Sequence, residues 1–179
     1  TIHRFQFEAL QVMKLIKDGV LEVYDKVPTS RVQQLQNLAN SSFKIGSKKM
    51  DIIQTGEMEA VTCALQTNAS AVVMDERTLR LFIENNRNME KLLEIRFKKN
   101  VIADKGKMDD FSKQLKSIKI IRSIELVAVA YKMGLLNDYV PDQKGGKGTL
   151  VDSILWAAKY NGSAVTTQEI EDMKEILLK

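Results

Sequence analysis

Four apolar residues in a row, Ala71-Val72-Val73-Met74, stand in a polar stretch and lead directly into Asp75 and Glu76. A run that short is too small for a helix core and fits a buried strand. A second run, Ile118-Lys119-Ile120-Ile121, reads the same way. Val20-Leu21-Glu22-Val23-Tyr24 alternates apolar and polar residues, with β-branched valine at Val20 and Val23, and predicts a further strand. Short strands alternating with helical stretches predict an α/β domain built on a parallel sheet.

The helical stretches are marked by face and by cap. Residues 4–18 place Phe5, Ala9, Val12, Met13 and Ile16 on one face, and Gly19 stops the helix. Pro28 and the Ser30–Gln33 pair open a helix to about Asn40, and another spans about Gly56 to Thr67. A helix from near Glu76 is expected to run as far as about Lys99, with a turn at 105–107 and a short helix from 108. Ser123 caps a helix that ends at Gly134. Residues 137–148 read as a loop. Two helices close the chain, 149–160 and 168–178, the second behind a Thr166–Glu169 capping box.

With 179 residues the chain suits one compact domain. No apolar stretch approaches the roughly 20 residues that span a bilayer, and no secretory signal pattern opens the sequence, so a cytoplasmic location and no membrane partner are expected. The single cysteine, Cys63, cannot form an intrachain disulfide, in keeping with a reducing compartment. His3 is the one histidine, which leaves almost no material for histidine catalysis or a His/Cys zinc site. The net charge is +4. Residues 84–119 hold ten Lys/Arg against six Asp/Glu and so carry that whole excess. Such a segment suits a polyanionic partner, and equally a solvated lysine-rich face.

Glu57, Asp75 and Glu76 are the candidate chemical residues. Glu57 falls in the first turn of its helix, where the helix dipole favours a carboxylate. Asp75 and Glu76 fit as a cap and a first-turn acid. Each is explained by helix capping alone. If both strand-to-helix junctions face one end of the sheet, however, the acids converge, and clustered carboxylates ionise cheaply only around a cation. An oxygen-only ligand set selects Mg²⁺ or Mn²⁺. Lys144-Gly145-Gly146-Lys147-Gly148-Thr149 hints at a phosphate loop but fails the Walker pattern, because Gly148 follows the lysine. A flexible connector is the better reading. Trp156 reads as packing rather than as a base-stacking platform.

The stretch GEMEAVTCALQTNASAVVMDERTLR (56–80) resembles the Gly-Glu-x-x-Ala helix, short strand and Asp-(Asp/Glu)-Arg turn of PIN-domain nucleases. IIRSIELVAVAYKMGLL (120–136) resembles that family's last strand and the helix after it. The closing helix pair resembles an appendage of some archaeal members. The resemblance implies a three-layer α/β/α sandwich with a parallel sheet, plus C-terminal helices. It divides the chain into a PIN-like domain over 1–136 with a basic insertion at 84–119, a loop at 137–148, and a helical appendage at 149–179 packed on the same domain. It implies Mg²⁺- or Mn²⁺-dependent hydrolysis of single-stranded RNA, with Glu57 and Asp75 as catalytic metal acids and Glu76 as an auxiliary ligand. Lys98, Lys99 and Lys105 would follow the RNA backbone, with Arg122 available to a phosphate and Ser123 at the facing helix cap. That family begins with an apolar strand ending in a metal-binding Asp, whereas this sequence opens already helical. Catalysis is therefore expected of a protein that carries such a strand upstream. The alternative is a catalytically silent module that binds RNA or a protein partner. A homodimer or an antitoxin partner stays open.

Overall fold

Local sequence dictates most helix ends in the computed structural model, which describes residues 3–179 apart from the side chain of Arg4. Helix α1 (Gln6–Lys17) ends before Gly19, whose φ of +72° suits glycine. Pro28 stands at the N-cap of α2 (Thr29–Ser41), which buries Val32, Leu35 and Ala39 on one face. A hairpin follows, β1 (Phe43–Ile45) and β2 (Lys48–Lys49), turning at Gly46. Helix α3 (Thr55–Thr67) opens on a Gln54–Glu57 capping box and leads to β3 (Val72–Val73).

Glu76 caps α4 (Arg77–Glu84), and Asn85 and a short 3-10 turn separate it from α5 (Met89–Phe97). Strand β4 (Ile102–Ala103) precedes α6 (Lys105–Gln114), capped by Asp104, and β5 (Ile120–Ile121) precedes α7 (Ser123–Lys132). The chain closes with α8 (Gly146–Tyr160) and α9 (Thr167–Leu178), the latter behind the Thr166–Glu169 box.

The expected three-layer sandwich is not what forms. The chain is 62% helix and 6% strand. Strands β3 and β5 do lie parallel, Val72 beside Ile120 and Val73 beside Ile121, but as an isolated pair. The other sheet has the order β2-β1-β4 and is antiparallel, so among the described residues no continuous parallel sheet exists for helices to cover. The expected strand at 20–24 does not form: residues 20 and 21 bend back onto the Leu15 carbonyl, residues 22–24 have no regular structure, and Val20 and Val23 are exposed. A strand is stable only where a neighbour takes its hydrogen bonds, and among the described residues no strand pairs with this segment. The hairpin at 43–49 has no signal in the sequence pattern, since its strands are too short to show a period. The expected helix from 76 to 99 breaks at Asn85. In the expected connector at 144–148, residues 144 and 145 form a turn and α8 begins at Gly146. Gly145 there has a φ of +82°, and buried Gly146 sits so close that a side chain would overlap the Pro141 carbonyl oxygen.

Two apolar clusters hold the fold. The larger gathers α2 to α6 and the hairpin around three rings: Phe43 and Phe82 meet edge to face with centroids 5.4 Å apart, and Phe82 and Phe111 are tilted at 4.4 Å. Aromatic pairs at these spacings add to the burial of their area. The smaller cluster joins α7, α8 and α9 through Ile124, Val151, Leu155, Ile170 and Leu177. Helix α7 thus packs with the closing helices. Helix α1 buries no residue, and Phe7 (69% exposed), Leu10 and Met13 face solvent. No helix among the described residues is long and apolar enough to cross a membrane.

Candidate nucleic-acid interface

Asp75 leaves the end of β3, and its position there is fixed by two donors from far along the chain. The Ser123 N–H donates to its Oδ1 at 3.1 Å and the Ser163 hydroxyl at 2.8 Å. Asp75 therefore caps α7 instead of the helix that follows it. That task falls to Glu76, which accepts from the Leu79 N–H. Glu57 stays local, with its Oε2 accepting from the Gln54 N–H at 2.9 Å. Burial pushes the Glu57 carboxyl above its usual range. The Gln54 N–H pulls it back, the negative charge of Glu76 adds to the rise, and Arg96 opposes it. Glu76 and Arg96 thus both act on the Glu57 carboxyl, in opposite directions.

Glu57, Asp75 and Glu76 are the acids expected to hold a metal. Each has one oxygen bonded to an N–H or O–H donor, and among the described residues no group of three or more His, Cys, Asp or Glu side chains gathers to hold an ion.

Arg122 is also committed. It is 6% exposed, and its guanidinium donates to Glu125 and, at 2.8 Å, to Glu169, whose carboxylate lies 3.6 Å from Arg80. Burial opposes the charge on Glu169, but the Thr166 N–H and hydroxyl and the Arg122 guanidinium together hold its carboxyl down at about 2. A phosphate would have to displace two carboxylates to reach Arg122. Ser123 likewise gives its backbone N–H to Asp75. Arg122 and Ser123 thus stand in a knot of polar contacts that ties the small cluster to the large one.

What sequence reading did not assemble is a cleft of about 760 Å³ along α4 and α5, which opens beside this knot. Three cations line it: Arg77, Lys91 and Arg96. Leu81, Leu92 and Ile95 supply apolar wall, with Ile95 70% exposed, and Asp75 and Glu76 reach it from the β3 end. Arg77 and Lys91 make no ion pair among the described residues. Arg96 donates to the buried Thr78 hydroxyl at 3.1 Å, and its guanidinium lies over the Phe97 ring at 5.5 Å. The available signal was helical spacing: Leu92, Ile95 and Arg96 recur at three and four residues, which puts them on one side of α5.

Basic surface continues past α5. Lys98, in the left-handed conformation at φ +51°, and Lys99 are both exposed. Lys99 shares a hollow of about 270 Å³ with Lys48, Lys49 and the partly exposed ring of Phe97. Lys105 is exposed on α6, but lines a different hollow in which Glu90 and Asp109 dilute its charge. No protein-family model matches this chain, and no curated protein or solved structure is significantly similar to it.

Proposed function

We propose that this chain binds single-stranded RNA in the cleft of α4 and α5, with Lys98 and Lys99 extending the track. The observation that carries this reading is the pairing of cations with apolar wall in one groove, Arg77, Lys91 and Arg96 beside Leu81, Leu92 and Ile95. An unpaired strand offers both partners, anionic phosphates and the apolar faces of unstacked bases, whereas a duplex hides its base faces. In a filter-binding titration across ionic strengths, Lys91→Glu with Arg96→Glu should weaken binding to every RNA sequence about alike. The slope of log affinity against log salt should flatten by roughly one to two, as fewer counterions are released. Unchanged affinity and slope would refute this reading.

A second reading, phosphodiester hydrolysis, is favoured by one observation: Asp75 and Glu76 both line that cleft. Mg²⁺ arriving with a phosphate needs only one or two carboxylates from the protein. Its mark would be Mn²⁺-dependent cleavage of the bound RNA, lost in Glu76→Gln and in excess chelator. Intact RNA in saturated complexes with Mn²⁺ present leaves binding alone.

A further inference from the structure

The end of α8 carries an aromatic pair that neither cluster needs for packing on both of its rings. Trp156 is half-buried against the small cluster, while Tyr160, one helical turn on, is 80% exposed. Their rings stack with centroids 5.6 Å apart and planes inclined by 26°. The Lys159 ammonium lies 5.1 Å from the Trp156 ring centre and donates to the Thr167 hydroxyl at 3.2 Å. The anchored tryptophan therefore holds the tyrosine ring in place, with most of that ring open to solvent. A ring so exposed gains little from burial, and a loose phenol would serve solubility as well.

Position supplies the second observation. Only two residues separate Tyr160 from Ser163, which bonds Asp75, and Ala164 itself lines the α4–α5 cleft. The turn after α8 thus runs from the aromatic pair straight into the cleft wall.

We infer that Trp156 and Tyr160 form a stacking platform for one unpaired nucleobase of a strand whose phosphates lie in the α4–α5 cleft. This rests on the RNA reading above and adds a base contact to it. A base presents a flat π-face of either ring size, so the platform accepts any base and sets no sequence preference. Lys159, whose ammonium lies over the Trp156 ring, adds a cation next to the exposed Tyr160 ring. Stacking of this kind needs no proton transfer, so the contact is expected to be insensitive to mild changes of pH.

Trp156 is the chain's single tryptophan, which gives the platform its own optical signal. The test titrates the whole chain with a short oligoadenylate and, separately, with an abasic ribose-phosphate chain of equal length and charge. The expected result is quenching of Trp156 emission by oligoadenylate, with the abasic chain binding about tenfold more weakly and without quenching. Tyr160→Ala should abolish that preference and leave the two affinities equal. Its side chain is largely solvated, so folding is spared. Trp156→Phe, which keeps a ring in place, should retain the preference in a filter assay. Equal, salt-dependent binding of both chains with no quenching would overturn the platform while leaving the cleft reading standing. No binding of either chain would overturn both.

Discussion

Asp75, a candidate chemical residue, also carries two architectural contacts. Its Oδ1 satisfies the Ser123 N–H at the start of α7 and the hydroxyl of Ser163, a side chain with little exposure. Leaving buried donors unpaired costs about 1–3 kcal/mol each. Asp75→Ala should therefore lower unfolding free energy by about 2–4 kcal/mol in a urea titration. Asp75→Asn retains an amide oxygen at the same place and should lose less than half of that. A loss below about 0.5 kcal/mol for the alanine variant, the range of neutral surface changes, would mean that the two serines find other acceptors. The same logic explains Arg122: a guanidinium with two bound carboxylates is already neutralised before any phosphate arrives.

Elements are placed here by caps and by the tightness of their contacts. Helix α8 begins where it does because Gly146 lets the chain pass against the Pro141 carbonyl oxygen. The obstacle is backbone and cannot rotate aside, so Gly146→Ala should cost about 3 kcal/mol or more, the upper range of overpacked sites. Helix α1 is the opposite case. Its apolar side chains are exposed, and Leu10→Ala should change unfolding free energy by less than about 0.5 kcal/mol. Both variants can be compared with the parent in one denaturant series. A large effect at Leu10 together with none at Gly146 would contradict the described packing of both elements.

At the scale of the whole molecule, two apolar clusters are joined by polar contacts. Arg80 on α4 and Arg122 before α7 both approach the Glu169 carboxylate on α9, and Asp75 links β3 to Ser123 and Ser163. The Glu169 carboxyl falls from an ordinary value of 4.5 to about 2 in the folded chain. A depressed acid contributes stability above its unfolded value and loses it as pH falls through its folded value. The contribution is thus complete above about pH 4.5 and disappears on acidification toward about pH 2. Glu169→Gln should remove that part of the acid dependence. Trp156 emission, which reports on the small cluster, should follow the transition. Identical acid profiles for the two proteins would show that Glu169 does not couple the clusters.

Much was legible in the sequence wherever the cause is short-range. The Thr166–Glu169 box, the first-turn acid Glu57 and the exposed Lys98 and Lys99 are set by neighbours within a few residues, and they stand where local chemistry puts them. Within the runs at 71–74 and 118–121 only Val72–Val73 and Ile120–Ile121 form strands, where β-branched residues favour a pleated backbone, and Val73 is exposed rather than buried. What they pair with is another matter. A sheet exists only through partners distant in sequence, and here each run finds one partner over two residues, so the helices bury their faces on one another instead of on a sheet. The acids divided the same way. Glu57 answers to Gln54, three residues off, and was readable, whereas Asp75 answers to residues 48 and 88 positions away. The sequence by itself determined which residues could cap, strand or carry charge. Only the tertiary structure decided that Asp75 and Arg122 would be spent on joining two clusters, and that Arg77, Lys91 and Arg96 would line one cleft, because those outcomes depend on which distant elements arrive beside them.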